Sequence, residues 1–140
     1  MRRFRGVLLY GLVAICCGLF ISACGASDQS AIGKVLDARD KAISSHDVAA
    51  YSSLIATDYR DDGRTKVDIV AQMINLFDHF DEVKMHSFDR NIQLNGDRHA
   101  QCRQSYRLAV RSGKRWEKMV QREQLSLVRT PVGWKISGGL

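Results

Sequence analysis

Cysteine is too scarce in this chain to build a disulfide framework. The 140 residues include four cysteines, at positions 16, 17, 24 and 102. The first two lie in an N-terminal apolar run and the third carries a predicted modification described below, so Cys102 is left without a partner. This excludes a disulfide within the mature chain, and we expect Cys102 to be a small, buried, apolar residue.

Histidine is equally sparse, and neither a metal site nor a cofactor is predicted. The four histidines have no helical or hairpin ligand spacing, and no second thiol accompanies them; they are His46, His79, His86 and His99. The sequence also lacks an internal repeat, a low-complexity tract and a sign of a second domain.

The chain lacks a hydrophobic run long enough to cross a membrane. The apolar run at residues 7–21 has 15 residues, whereas a membrane-spanning helix needs about 20. Because three arginines precede this run and small residues follow it, the pattern is typical of a secretory signal peptide. An uncleaved anchor helix is the alternative interpretation.

The end of the run resembles the lipobox of bacterial lipoproteins, with Ile21, Ser22 and Ala23 before Cys24. In lipoproteins the cysteine thiol receives diacylglycerol, the signal is cleaved, and the new N-terminus is usually acylated as well. The resemblance implies a signal peptide at residues 1–23 and a lipidated Cys24. It also implies an exported protein, anchored to the cell membrane or the outer membrane and facing the periplasm or the outside. Two or three acyl chains hold a protein stably, whereas one binds marginally.

The predicted mature chain consists of a short tether at residues 24–30 and one domain at residues 31–140. Residues 24–83 contain 6 basic and 11 acidic side chains, and residues 84–140 contain 12 basic and 4 acidic ones. The second half is therefore strongly basic although the mature chain as a whole is only mildly so.

Apolar spacing predicts helices in the first part of the domain. Residues 31–45 repeat apolar side chains at helical spacing, Asp47 can cap a second, shorter helix that begins at Val48, and Thr65 with Asp68 forms a capping pair for a third. Between the second and third helices, residues 59–64 read as a brief strand or turn.

The pattern changes to period two after Asp81 and predicts antiparallel strands. Residues 83–94 form one or two strands, and Asn95-Gly96-Asp97 is a strong hairpin turn. The strand at residues 98–111 alternates cleanly. The strand at residues 115–129 changes phase between Val120 and Leu125, which predicts a β-bulge.

Two or three helices followed by long antiparallel strands predict an α+β fold in which a strongly curved sheet wraps the first helix. The segment at residues 40–51, with its Ser-Ser-His-Asp break, resembles the opening of the nuclear-transport-factor-two-like superfamily, as do Asp58-Tyr59 and Gly133-Trp134. The resemblance implies the cone-shaped fold of polyketide-cyclase-like and SnoaL-like domains. It implies no reaction, because members share packing motifs and differ in activity.

Three polar or aromatic side chains are predicted to point into the cone and bind a ligand. Arg39 lies at the centre of the first helix's apolar arc, while Gln104 and Tyr106 lie on the inward face of their strand. Arg39 could grip a carboxylate or phosphate; the alternative is an internal ion pair with Asp58 or Glu123. Gln104 could orient a ligand or make a structural hydrogen bond.

Asp58 and Tyr59 are the candidates for catalysis, as an acid or base and a hydrogen-bond donor. Members of the superfamily with isomerase or cyclase activity place carboxylates in the cone and shift their pKa by burial. Here no second inward carboxylate or histidine is apparent, so we expect the chain not to be an enzyme.

Three arginines at four-residue spacing are predicted to form a basic outer surface: Arg103, Arg107 and Arg111. With their neighbours they could contact an anionic surface or an acidic protein, or simply solubilise the face. Nucleic acid is not an expected partner, because the protein is exported and this face is expected to lack aromatic side chains.

The sequence thus predicts a lipid-anchored envelope protein that binds a small molecule or a partner protein. An envelope lyase or isomerase and a scaffold subunit are the alternatives. A binder requires an open pocket containing Arg39 or Gln104, an enzyme requires a desolvated acid beside a donor, and a scaffold requires a filled cone and an exposed apolar patch.

Overall fold

The computed structural model describes the backbone of residues 21–140 and the side chains of residues 25–140. Residues 1–20, which make up most of the predicted signal peptide, lie outside this part. The helices are α1 (Ile21–Ser44), α2 (Val48–Ser53) and α3 (Lys66–His79). A two-stranded hairpin is formed by β1 (Arg60–Asp61) and β2 (Arg64–Thr65), and the main strands are β3 (Glu82–Asn95), β4 (His99–Ser112), β5 (Arg115–Thr130) and β6 (Gly133–Gly138).

The four main strands form one antiparallel sheet in the order β3-β4-β5-β6. We call the side that packs on α1 the inner face and the opposite side the outer face. The core lies between α1 and the inner face, where Leu36, Cys102, Leu125 and Ile136 are all fully buried. The predicted α+β architecture is therefore confirmed.

The local signals for helix starts and turns are confirmed. Asp47 accepts a hydrogen bond from the Ala50 amide at the start of α2, and Thr65 and Asp68 form a reciprocal capping box at the start of α3. Gly96 has a φ of 74° in the turn between β3 and β4, a conformation that glycine adopts without strain.

The tether predicted at residues 24–30 is wrong, because these residues belong to α1. Long-range contacts explain the longer helix. Asp28 accepts hydrogen bonds from Arg129 and from the Trp134 indole, and Gln29 donates to the Ile92 carbonyl. Asp28 and Gln29 thus attach the N-terminal part of α1 to the sheet, and residues 24–30 do not form a flexible tether. Among the described residues, no helix combines the length and the apolar character needed to cross a bilayer.

The bulge predicted in β5 is also wrong. The β4–β5 ladder runs without a shift from the pair His99 and Val128 to the pair Ser112 and Arg115. The apolar phase changes because Trp116 and Val120 point to the outer face, where they are exposed. The register shifts instead in β3, between Phe88 and Asn91, and between β5 and β6 at Ser126 and Leu127.

Candidate binding site

A buried ion pair joins α1 to the inner face of the sheet. Arg39 follows Ile32 and Leu36 on the buried side of α1, because residues three and four apart share a helix face. Its Nη1 and Nη2 donate to Oε1 and Oε2 of Glu123 at 2.6 and 3.0 Å, and the two side chains are only 7% and 10% exposed. The alternative of an internal ion pair is thus the observed state of Arg39, and Glu123 is the partner.

The ion pair keeps Arg39 charged in the core. Burial by itself would lower the pKa of Arg39, but the hydrogen bonds and negative charge of Glu123 outweigh burial, so this pKa is raised. The Arg39 Nε is buried without a hydrogen-bond partner in the described chain. A paired, desolvated guanidinium of this kind has little capacity left for a ligand.

Gln104 extends the buried polar network to β3. Its amide nitrogen donates to Glu123 Oε1 at 2.7 Å and to the Ser87 hydroxyl at 3.2 Å, and its amide oxygen accepts from Arg90 Nε at 2.9 Å. Asp40 of α1 accepts from both the amide and the hydroxyl of Ser87. A buried amide with this many partners is satisfied by the protein itself.

Tyr106 lies apart from this network. Its hydroxyl donates to Gln121 Oε1 at 2.9 Å, and burial raises its pKa. The structure therefore joins Arg39 and Gln104 through Glu123, but does not gather them with Tyr106 around an open ligand pocket.

Asp58 and Tyr59 do not form an acid–donor pair. Asp58 is exposed, whereas Tyr59 is fully buried. The Tyr59 hydroxyl accepts from the Leu140 amide at 2.9 Å and donates to its carbonyl at 3.3 Å, and burial raises the pKa of Tyr59. Tyr59 thus ties the C-terminus to the core, and the catalytic hypothesis remains a prediction without supporting geometry.

The described residues also offer no metal site or reactive thiol. No group of three or more histidine, cysteine or acidic side chains at residues 25–140 is placed to hold a metal ion. Cys102 is buried and unpaired, and burial raises its pKa to about 11. It therefore stays protonated at neutral pH, as expected for a small core residue.

The outer face is basic and partly aromatic. Arg103, Arg107 and Arg111 face outward and lie opposite Gln124, Val120 and Trp116 of β5 respectively. The expectation that this face lacks aromatic side chains is wrong: Arg107 lies 5.7 Å from the Phe88 ring centroid, and Arg111 lies 5.9 Å from that of Trp116. The prediction that nucleic acid is not a partner then depends only on the predicted export.

The outer arginines differ in how far they are neutralised. Arg111 pairs with Glu82 at 2.7 Å, and its hydrogen bond lowers the pKa of Glu82. Arg103 and Arg107 form no ion pair with another described residue, and the same is true of Arg122 on the neighbouring strand. Glu123, which is adjacent to Arg122 in sequence, turns inward to Arg39 and does not neutralise these arginines. The outer face therefore keeps an unneutralised positive charge.

A cavity of about 540 Å³ opens on the sheet beside the register shift in β3. The residues around it come from three adjacent strands: Asp89, Asn91, Arg103, Gln104, Ser105, Arg122, Glu123 and Gln124. By strand register, Arg103, Ser105, Arg122 and Gln124 contribute outward side chains, while Gln104 and Glu123 turn inward. We call this cavity the outer groove. Sequence reasoning missed it; the only signal was the polar run at residues 89–91, which interrupts the alternation of β3.

Comparison with solved structures places this arrangement in a known fold. An NTF2-like protein with a cystatin-like fold from Novosphingobium aromaticivorans superimposes with a TM-score of 0.69 and 17% identity, over 84% of this chain and 82% of that one. The chain has this NTF2-like fold, which is the nuclear-transport-factor-two-like fold that the sequence resembles. A candidate dehydratase of the NTF2-like family from Streptomyces avermitilis gives a TM-score of 0.73 at 13% identity, over 81% and 94% of the two chains.

A third similar structure is a candidate scytalone dehydratase from Novosphingobium aromaticivorans, with a TM-score of 0.74, 13% identity and 85% coverage of each chain. No protein-family model and no curated protein matches the sequence. Because all three identities are low, the comparison establishes the fold and leaves the activity open.

Proposed function

We propose that this protein is a lipid-anchored component of a bacterial cell envelope that works by binding an anionic partner on the outer face of its sheet. One contrast supports the proposal. On the inner face Arg39 and Gln104 both donate to Glu123, whereas Arg103, Arg107 and Arg122 on the outer face have no charge partner among the described residues.

The lipid anchor at Cys24 is the second part of this proposal. It is supported by the lipobox-like sequence Ile21-Ser22-Ala23-Cys24 and by the position of α1. Since Asp28 and Gln29 are bound to the sheet, an anchor at residue 24 would hold the domain close to the bilayer. The end of the sheet near Leu94 would face the bilayer, and the outer face would stand away from it, directed toward other components of the envelope.

The anchor is tested by replacing the modified sulfur. In cells fed radiolabelled palmitate, we expect label on the parent protein and none on Cys24→Ser. Cys102→Ser is the matched control and keeps its label, because that thiol is buried. Equal labelling of parent and Cys24→Ser, or no label on either, would contradict the anchor.

The outer face is tested with an acidic polymer. The full-length protein in a neutral detergent is treated with phenylglyoxal, which modifies accessible arginines, with and without poly-L-glutamate. We expect the polymer to slow modification of Arg103, Arg107 and Arg122 while leaving Arg60 unchanged, since Arg60 lies in β1, outside the sheet. Unchanged rates at all three would refute an anionic partner on this face.

A scaffold role is the second candidate, and the free edge of β5 favours it. β6 pairs with β5 only from Ser126 onward, and residues 115–122 are exposed on both faces. Trp116, Met119 and Val120 are among the large apolar side chains left exposed. An unpaired strand of this length is a template for strand addition, and we assign the added strand to a second copy of the chain.

Charge fixes the register of such a pair. Two antiparallel β5 strands centred on Met119 place Trp116 opposite Arg122. A shift of two places puts Lys118 opposite itself or opposite Arg122, and both arrangements set like charges against each other. Oxidation of Met119→Cys should therefore give a disulfide-linked dimer, whereas the exposed control Val132→Cys should not. Equal cross-linking of the two variants would remove the scaffold candidate.

A further inference from the structure

The outer groove is a preformed concavity in an otherwise continuous sheet. β3 pairs with β4 up to Phe88 and Ser105, then resumes at Asn91 and Arg103. The residues between include Asp89, whose φ of 52° is left-handed. Such a bulge bends its strand and re-aims side chains, so the backbone itself forms one wall of the groove.

Two arginines, Arg103 and Arg122, line this groove. Arg103 of β4 lies opposite Gln124 of β5, and Arg122 of β5 lies opposite Ser105 of β4. The two arginines are therefore diagonal neighbours on adjacent strands, a position in which Cα atoms are roughly 7–8 Å apart. Gln124 Oε1 accepts from Arg103 Nε at 3.2 Å, which orients that side chain. Arg122 forms no hydrogen bond or ion pair with any described residue and is left available.

Ser105 adds a hydroxyl to the lining of the groove. The residue is only 8% exposed and borders the groove, and its hydroxyl makes no hydrogen bond within the described chain. The hydroxyl oxygen is nevertheless not sealed from solvent, since it is not among the buried side-chain atoms left without a partner in the described chain. It is therefore free to bond a ligand oxygen held between the two arginines.

Asp89 gives the groove a second charge. Its exposed carboxylate borders the cavity and has no ion pair among the described residues. A ligand that carries only negative charge would be repelled by it, whereas a ligand with an ammonium group beside its acidic group would satisfy both signs. The arrangement of two cations, one hydroxyl and one anion thus matches a small zwitterion.

We propose that the outer groove binds a small phosphate-bearing zwitterion, of the phosphoethanolamine type. Arg103, Arg122 and Ser105 hold its phosphate, and Asp89 accepts hydrogen bonds from its ammonium group. The inference rests on the proposed function only in using the outer face as the binding face, and it is independent of the lipid anchor. Gln104 and Glu123 border the groove, but their side chains turn to the inner face and bond there, so the Arg39–Glu123 pair is kept when the groove fills.

Arginine protection tests the location of the site. The probe is O-phosphoethanolamine, added to the full-length protein in neutral detergent during phenylglyoxal treatment. We expect modification of Arg103 and Arg122 to slow by about tenfold at saturation, while Arg107 on the same face keeps its rate. Equal slowing of Arg107 would reduce the effect to diffuse charge attraction and overturn the site, as would no slowing at all.

Variants test the roles of the residues by calorimetric titration. Arg122→Gln should weaken O-phosphoethanolamine binding about tenfold, the typical loss of one charge-assisted hydrogen-bonding group, while Arg107→Gln should change it less than twofold. Both variants remove one exposed outer charge, so equal losses would contradict a specific site. Ser105→Ala should show an intermediate loss.

The Asp89→Asn variant gives the sharpest test because it predicts opposite changes for two probes. Asparagine tolerates the left-handed conformation, so the bulge is kept. The variant should bind O-phosphoethanolamine more weakly and inorganic phosphate more tightly than the parent. A change of the same sign for both probes would exclude the ammonium contact.

The same chemistry occurs free in solution and on lipid headgroups, and one further experiment separates these sources. Phosphatidylethanolamine or phosphatidylcholine is added in mixed micelles to the protein in neutral detergent. Protection of Arg122 by phosphatidylethanolamine micelles and not by phosphatidylcholine micelles would assign the lipid as the source, and protection only by soluble O-phosphoethanolamine would assign a free ligand. If poly-L-glutamate gave no protection while O-phosphoethanolamine did, binding of an anionic partner across the basic outer face would be refuted, whereas the site in the groove would be supported.

Discussion

Both faces of β4 and β5 carry polar and charged side chains, but the two faces use them differently. On the inner face Gln104 and Glu123 lie opposite each other, and Glu123 accepts hydrogen bonds from both Gln104 and Arg39 of α1. One residue further along, on the outer face, Ser105 and Arg122 lie opposite each other with no described partner. Strand alternation alone separates the two pairs, because successive side chains point to opposite faces.

The difference shows that a buried charge and a binding charge have different requirements. A charge covered by α1 needs a partner in the protein, because an unpaired buried ion is costly. A charge on the uncovered face is solvated and stays available to an external anion. In this fold the unusual charge in the core is therefore structural, and the ordinary-looking surface charges are the better binding candidates.

Removing the inner carboxylate should have the largest effect. Glu123→Leu leaves Arg39 charged and unpaired in the core, and we expect a loss of about 3–5 kcal/mol in the free energy of unfolding. Glu117→Leu, the same substitution at an exposed site of β5, should change it by about 0.5 kcal/mol or less. Urea denaturation measures both.

The double variant Arg39→Met with Glu123→Leu sharpens this prediction. Replacing both partners removes the unpaired charge and should restore most of the lost stability, since buried ion pairs are often replaced by apolar residues at little cost. If the double variant were as unstable as Glu123→Leu alone, the loss would come from packing and not from charge.

High pH should produce the next largest effect, again through the inner side of the sheet. Burial raises the pKa of Cys102 from 9.0 to about 11 and the pKa of Tyr51 from 10.0 to about 12. Above pH 9 the unfolded chain therefore releases protons that the folded chain retains, so the unfolding free energy falls as pH rises from about 9 to about 12.

Two variants locate this pH dependence. Cys102→Ala should flatten the curve between about pH 9 and 11, and Tyr51→Phe should flatten it between about pH 10 and 12. Chemical denaturation across the series measures both effects. An unchanged slope in both variants would show that other groups dominate the alkaline loss.

Most of the architecture could be predicted from the sequence because its signals are local. Capping pairs such as Thr65 with Asp68, the Asn95-Gly96 turn and the change from helical to alternating periodicity each act within a few residues. The start of α1 could not be predicted in this way. Residues 24–30 are small and polar, and what holds Asp28 in the helix lies 101 and 106 residues away in sequence, at Arg129 and Trp134.

The candidate site likewise has a part that local sequence signals predict and a part that depends on long-range strand pairing. The unusual position of Arg39 among apolar neighbours could be predicted from the sequence, which also offered Glu123 as one of two candidate ion-pair partners. The outer groove was invisible, because it depends on which strand carries the bulge. The apolar phase of β5 pointed to a bulge there, whereas Asp89 in β3 takes the left-handed conformation. Choosing between these strands requires their register, which only the folded structure supplies.

Removing the Tyr59 hydroxyl should have a smaller effect than breaking the ion pair. Tyr59→Phe keeps the buried ring but leaves the Leu140 amide and carbonyl without their partner, and we expect a loss of roughly 1–2 kcal/mol. Activity of any kind at the predicted Asp58–Tyr59 pair would be abolished by the same variant. A loss of stability with ligand binding at the outer groove retained would support the structural role of Tyr59.

The smallest stability change is expected on the outer face, where the largest change in binding is expected. Arg107→Gln removes an exposed cation that packs on Phe88, and such surface changes alter the unfolding free energy by about 0.5 kcal/mol or less. Its affinity for poly-L-glutamate should nevertheless fall, and the remaining affinity should depend less on salt, because screening acts on exposed charges. Lys135→Gln, which removes one charge from β6, is the control. If Arg107→Gln destabilised the fold as much as Glu123→Leu does, the distinction between a structural inner face and a binding outer face would be lost.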